Sequence, residues 1–285
     1  MTKLILGIDA GNFKAKVASV HGVDSFKTNI CGWFERDVEE EYEDFMEFEI
    51  DGRKGYAGSI AEAEDEFGDG AQYGITKAHD DTKIRVLLAI HRYMEKYNLA
   101  ASSVYIVVGQ PIATHKAGEK QHIIDLLKGK HDYVVNGKRR KITIEEVTVS
   151  PEGASAFFSN PQKGSISILD VGSGTVNMAV ISEKKFIHKS SGTMDTGMET
   201  LKNKNDLDGM ARGIVQATTK LKWKKDDTVF VCGGIANLIL PHLKKHYVNA
   251  EVLKAVLTTE DEVIIEKPIF ANAIAFYNIA KGVYK

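Results

Sequence analysis

Leu4-Ile5-Leu6-Gly7-Ile8-Asp9-Ala10-Gly11-Asn12 and Ile166-Ser167-Ile168-Leu169-Asp170-Val171-Gly172-Ser173-Gly174-Thr175 follow one pattern. Each is a short apolar run that ends at an aspartate and a turn of small residues. Each is followed by a second strand-like run, Val17-Ala18-Ser19-Val20 in the first case and Val176-Asn177-Met178-Ala179-Val180-Ile181 in the second. Apolar runs of this length bounded by glycine predict strands, so the two stretches predict two hairpins with polar tips. Their wide separation predicts two related halves and not a solenoid of short units.

The tips have a chemistry of their own. Small residues let backbone come close to a ligand, and consecutive N–H groups in a tight turn favour an anion. The N–H groups of Ala10, Gly11 and Asn12, and those of Gly172, Ser173 and Gly174, are therefore candidate phosphate donors, with the hydroxyls of Ser173 and Thr175 beside them. Asp9 and Asp170 suit Mg²⁺, which keeps several waters that carboxylates can orient. Either turn alone is an ordinary hairpin tip; the pair points to a metal-bound polyphosphate.

Outward from the turns, Ile84, Leu87, Leu88, His91 and Met94 recur at helical spacing and predict a helix over about 81–97. Val104 to Val108 predicts a buried strand ending at Gly109-Gln110-Pro111. Asn136-Gly137 predicts a hairpin joining Tyr133–Val135 to Ile142–Ile144. Thr228 to Cys232 predicts a strand entering Gly233-Gly234, with helices expected at 208–222, 235–246 and 269–280. The stretch 35–49 carries nine carboxylates but interleaves aromatic residues, which reads as a solvated strand and loop region. Lys220-Leu221-Lys222-Trp223-Lys224-Lys225 reads as a solvated helix end, a contact to nucleic acid or an acidic partner being the alternative.

Composition excludes several classes. Apolar residues make up 43% and charged residues 27%, enough to bury a core and inconsistent with long disorder. A formal charge of -2 lacks the basic excess of a protein that grips nucleic acid by itself, so strong direct nucleic-acid binding is not expected. Cys31 and Cys232 lie far apart without zinc-ligand spacing, and the first apolar run is too short for a signal or a membrane span. The expectation is a reduced, cytoplasmic protein with no membrane contact.

On these residues the chain resembles the actin, sugar-kinase and DnaK-type chaperone superfamily. Ile8 to Asn12 and Leu169 to Thr175 are similar to its two phosphate motifs, and Val231-Cys232-Gly233-Gly234-Ile235-Ala236 to its adenosine motif. Ser150-Pro151-Glu152-Gly153-Ala154-Ser155-Ala156 and Phe270-Ala271-Asn272-Ala273-Ile274-Ala275-Phe276 resemble its two interdomain connections, expected as helices crossing beneath the nucleotide. Lys267 to Tyr277 and Gly109-Gln110-Pro111 are most similar to bacterial plasmid-segregating actins of the ParM kind. Only about fifty residues separate Ile181 from Gly233-Gly234, which resembles AlfA-type proteins that lack the small lobe, subdomain IIB, inserted there.

The resemblance implies an α/β, actin-like (ribonuclease H-like) two-domain fold with nucleotide in the cleft. Residues 1–150 plus 268–285 would form domain I and 151–267 domain II. It implies an ATPase that polymerises into filaments and segregates plasmid DNA through a DNA-binding centromere adaptor, with ATP or GTP and Mg²⁺ as ligands. Glu152 would position the attacking water, with Asp170 as its catalytic partner. Asp9 and Asp170 would hold the metal through water. Gly11, Asn12, Phe13, Lys14, Gly172, Ser173, Gly174, Thr175, Gly233, Gly234, Ile235 and Asn237 would line the nucleotide. Lys14 is the candidate phosphate cation, with Lys16 competing. The alternative function is a small-molecule kinase of the same superfamily, which would need an acidic residue and a sugar pocket after Gly109-Gln110-Pro111.

Overall fold

The computed structural model describes residues 3–38, 40–64 and 76–284. A nine-stranded sheet holds β1 (Lys3–Ala10), β2 (Lys14–Ser19), β3 (Gly22–Lys27), β4 (Ile30–Gly32), β5 (Met46–Ile50), β6 (Arg53–Ala57), β7 (Ser103–Gln110), β8 (Gly129–Val135) and β9 (Lys138–Pro151), in the order β3-β2-β1-β7-β9-β8-β5-β6-β4. The short helix α1 (Ser59–Glu64) follows β6. The helix α2 (Asp80–Lys96) lies within the curve of this sheet. Arg92 reaches Asp24 on β3 at one edge, and Arg53 on β6 reaches Asp81 near the other. Ile84, Leu87, Leu88 and Met94 bury against Phe26, Phe48, Tyr133 and Ile142, so residues from both edges share one core. The helix α3 (Ala117–Leu127) connects β7 to β8.

Strands β1, β7 and β9 are mutually parallel, pairing Ile8 with Val108 and Gly109 with Ser150. Their carboxyl ends therefore lie side by side, which is where ligands of parallel sheets bind. Sequence spacing alone ends β9 at Ile144, yet the strand continues to Pro151. The inward residues are Ile142 and Ile144 before Glu145, and Val147 and Val149 after it, so the alternation changes parity. A register shift against β7 absorbs the extra residue, and Glu145 leaves the ladder to accept from Ser103 Oγ at 2.8 Å.

The second sheet contains β10 (Ser165–Val171), β11 (Val176–Ser182), β12 (Lys185–Phe186), β13 (Gly192–Met194), β14 (Val229–Gly233) and β15 (Ala250–Val252), in the order β12-β11-β10-β14-β15 with β13 on β11. Helices α4 (Leu207–Lys220) and α5 (Ala236–Leu243) cover one face through Ile214 and Ile239. The hairpin of β16 (Ala255–Thr258) and β17 (Val263–Glu266) leads into α6 (Ala271–Val283). Helix α6 is shared by both sheets. Its Ala273, Ile274 and Tyr277 pack with Ile168 and Phe230, while Phe276 and Ala280 pack with Val107.

One expectation is corrected. The segment after Pro151 is not a helix: Gly153 takes a φ of 71°, and only a 3₁₀ turn follows at Ser155–Ser159. Between β11 and β14 the described chain adds β12, β13 and α4 to the existing sheet and builds no sheet of its own. The Lys220–Lys225 stretch is a solvated helix end. Its lysines are exposed, while Trp223 is buried and donates to Ser190 O at 2.8 Å.

Candidate active site

Asp9 stands at the carboxyl end of β1, Glu152 just past that of β9, and Asp170 near that of β10, and all three are buried. The ammonium of Lys77 joins the first two, donating to Asp9 Oδ1 at 3.4 Å and to Glu152 Oε1. Lys16 donates to Asp9 Oδ2 at 3.1 Å. Asn272 on α6 closes the set: its Nδ2 donates to Asp170 Oδ2 at 2.9 Å, and its Oδ1 accepts the Gly153 N–H at 3.1 Å. Gly153 is required there, because a Cβ would lie 2.8 Å from that of Asn177 and a positive φ disfavours other residues. The two hairpins predicted from sequence thus meet at one cleft, and the second connection, Phe270 to Phe276, ties them together.

The tip of the first hairpin is held by its carbonyls. Thr28 Oγ1 donates to Gly11 O at 2.7 Å and Thr28 N to Phe13 O at 3.1 Å. The buried guanidinium of Arg85 bonds Asn12 Oδ1 at 2.7 Å and Thr28 O at 3.3 Å. The second tip is held in the same way: Met198 N donates to Gly172 O and Glu199 N to Ser173 O at 2.8 Å. One expected phosphate donor is already engaged, since Gly172 N–H closes the hairpin on Thr175 O at 3.0 Å. Ser173, Gly174 and Thr175 remain half-buried at the tip.

The cation beside Asp9 is Lys16 and not Lys14. In the β1–β2 ladder Lys16 lies directly opposite Asp9, whereas Lys14 pairs across to Lys27 on β3. Gly233 adjoins the second hairpin tip: it carries a φ of 98°, and a Cβ there would lie 2.2 Å from Val171 O. Gly234 and Asn237 are exposed and Ile235 half-buried, forming an open rim next to that turn.

The electrostatics set the carboxylates apart. Burial opposes ionisation of Asp9, but Lys16 and Lys77 outweigh it and hold its carboxyl below the ordinary value. Burial raises Asp170, and the charge of Asp9 adds to the rise against the Asn272 hydrogen bond. Burial also raises Glu152, with Lys77 opposing. Burial disfavours the Lys77 charge, but Glu152 and Asp9 overcome it and Lys77 stays protonated. The directions agree, because Lys77 faces two carboxylates while Glu152 faces one cation and two like charges. Burial, then Asp170, pushes the Cys232 thiol well up, so it is no nucleophile here.

Three buried carboxylates facing two ammonium groups leave an excess of negative charge that a divalent cation would relieve. Among the described residues no three His, Cys, Asp or Glu side chains stand at metal-ligating separation. The carboxylates of Asp9 and Asp170, one on each hairpin, are oxygen donors of the kind that Mg²⁺ takes.

Two sheets whose strand ends bring two aspartate-led hairpin tips to one cleft, with a shared helix across them, define the actin-like fold. The family model described as the actin like proteins N terminal domain matches residues 7–154, just over half of the chain, which belongs to that family. Among solved structures, an AlfA filament bound to AMPPNP aligns over 100% of both chains with a TM-score of 0.77 and 19% identity. AlfA from B. subtilis plasmid pLS32, also a filament, aligns over 95% of this chain and 97% of its own, with a TM-score of 0.76 and 22% identity. The apo psk41 ParM protein aligns over 100% and 98%, with a TM-score of 0.74 and 15% identity. No curated protein sequence matches the chain. No helix among the described residues is long and apolar enough to cross a membrane.

Proposed function

We propose that this chain is a nucleoside triphosphatase of the actin-like family that assembles into filaments when it binds nucleotide and Mg²⁺. The observation that carries the reading is the continuous path Lys16–Asp9–Lys77–Glu152 and Gly153–Asn272–Asp170, which joins both hairpins and both connections around one cleft. In this reading residues 1–150 with 268–285 form one domain and 151–267 the other.

Bound Mg²⁺ would supply neutralisation of phosphate charge. The protein's own residues do the rest. Lys16 meets a phosphate from β2, the N–H groups of the two tips other than that of Gly172 cradle it, and Asp9 and Asp170 would hold the metal through water. Glu152 orients the attacking water and takes up its proton. Gly233, Gly234, Ile235 and Asn237 form the rim for the base, with ATP favoured over GTP by the likeness to the AMPPNP-bound AlfA filament. The likeness to AlfA from B. subtilis plasmid pLS32 supports a role in plasmid segregation. The net charge of -2, without a basic excess, supports DNA contact through a separate adaptor protein.

Pelleting and light scattering of the purified chain with Mg²⁺ and either ATP or AMPPNP test assembly, with EDTA as control. Sedimentable polymer is expected with both nucleotides. A chain that binds nucleotide and stays in the supernatant with both at micromolar concentration would sink the filament reading.

A further inference from the structure

The hairpin of β16 and β17 belongs to neither large sheet: β17 pairs with β16 and has no second strand beside it among the described residues. Ala255 and Leu257 bury its inner face in a core shared with Ile274 and Tyr277 of α6. Residues directly opposite in a ladder share a face, so the outer face carries Val256 with Ile265 and Thr258 with Val263. Val263 and Ile265 are each 64% exposed.

The backbone is open on the same strand. Thr259 N donates to Glu262 O at 2.9 Å across the turn, and hydrogen-bonded and open pairs alternate from there. Leu257–Ile264 and Ala255–Glu266 are therefore the bonded pairs, while Val263 and Ile265 aim their N–H and C=O groups at the free edge. Edges that stay single are blunted by lysine, proline or a bulge, and Val263-Ile264-Ile265 has none of these. Charge is divided along the hairpin. Its turn holds exposed Glu260, Asp261 and Glu262, and its base exposed Lys254 and Lys267. None of the five makes an ion pair among the described residues. Glu266, the carboxylate at the base, is half-buried on the inner face opposite Ala255. Two such strands laid antiparallel, with Val263 of one copy opposite Ile265 of the other, bring each acidic turn beside the lysines at the base of the other hairpin. A surface that complements itself in this way selects a second copy of the chain as its occupant.

We propose that the outer edge of β17 pairs two copies of this chain about a two-fold axis, joining their hairpins into one four-stranded antiparallel sheet. The pairing covers Val263 and Ile265, satisfies their outward backbone groups and turns a two-stranded hairpin, marginal by itself, into a sheet of stable size. A two-fold contact closes on itself, unlike the head-to-tail contact that extends a filament. It needs no nucleotide, so it stands or falls independently of the proposed function.

Sedimentation equilibrium of the nucleotide-free chain, carried to several hundred micromolar because a contact of this size belongs to the weak class, is the test. Wild type is expected as a reversible dimer. Lys254→Glu with Lys267→Glu makes both ends of the hairpin acidic, and Glu260→Lys with Glu262→Lys makes both ends basic. Each double variant alone should dimerise about 10-fold more weakly or worse, because like charges then meet at both ends of the strand pair. An equimolar mixture of the two should recover the wild-type affinity, since every acidic end then meets a basic one. Ile265→Pro removes an outward N–H and keeps the ladder to β16; it should leave the chain monomeric, and it tests the edge if a charge variant does not fold. Wild type that stays monomeric, a mixture no tighter than its components, or Ile265→Pro that dimerises like wild type would overturn the contact and leave the nucleotide site and the filament reading untouched.

Discussion

Asn272 gives its amide N–H to Asp170 at 2.9 Å, a contact between the last helix and the second hairpin that spans 102 residues of sequence. The same side chain accepts from Gly153 N, so one buried amide fixes Asp170 relative to Glu152. Asn272→Ala leaves a buried carboxylate and a buried N–H without these partners. The expected cost is about 2–4 kcal/mol in urea unfolding. Asn272→Asp should cost more, since it sets a second carboxylate against Asp170. Both should weaken Mg²⁺-dependent nucleotide binding, and an unaltered affinity in Asn272→Ala would show that Asp170 is held by other means.

Gly7 makes the approach of α6 to β1 possible. A Cβ on it would stand 2.1 Å from both Ala273 O and Tyr277 N, backbone atoms that cannot rotate away. Gly7→Ala should therefore push α6 off the sheet and cost more than about 3 kcal/mol, at or beyond the upper end for overpacking. The checks are a fall in unfolding midpoint and a matching loss of nucleotide binding, because the displaced helix carries Asn272. A variant as stable as wild type would mean that the helix sits further from β1.

The hairpin tips, the Gly233 turn and α6 were legible because their signals are local: an apolar run, an acidic residue, small residues, a second run. Lys16 was within reach of the same logic. Pairing Ala10 with Ala15 across the tip sets Asp9 opposite Lys16, and only the register count separates it from Lys14. The carboxyl half of β9 was hidden by the parity change at Glu145, which makes one strand look like a strand and a loop. The absence of a helix after Pro151 turns on the left-handed φ of Gly153, which the apolar pattern does not encode. Lys77 and Arg85 left no signal, since a lone cation near the start of an amphipathic helix reads as solvated surface until the sheet is seen to curve around it.

His91 gives the fold a pH dependence that has nothing to do with the cleft. Arg140 Nε donates to its Nδ1 at 3.0 Å, which requires a neutral ring with the proton on Nε2. Burial, helped by the charges of Arg140 and Lys138, lowers its pKa to about 4 from 6.5. As the pH falls below 6.5 the unfolded chain takes up this proton before the folded one, so stability declines down to about 4. The slope from one such group approaches about 1.4 kcal/mol per pH unit. His91→Gln keeps an acceptor for Arg140 without titrating and should flatten the decline in urea unfolding between pH 7 and pH 5. Part of the slope should persist, because burial lowers His79, His115 and His131 as well.

Glu152 should set the acid limb of phosphate release. Orienting water and accepting its proton both require the ionised carboxylate. Burial raises the Glu152 pKa, and the nearby Asp9 and Asp170 add to the rise against Lys77, so protonation begins above the ordinary 4.5. The rate should therefore fall with decreasing pH at a midpoint higher than that of an exposed glutamate. Glu152→Gln removes the titrating group while keeping the shape, and should lower kcat by about 10²-fold or more and abolish the limb. Assembly with AMPPNP should survive in this variant, because polymerisation draws on binding and not on hydrolysis. A Glu152→Gln protein that releases phosphate at the wild-type rate, or that retains the same acid limb, would assign the water to another group.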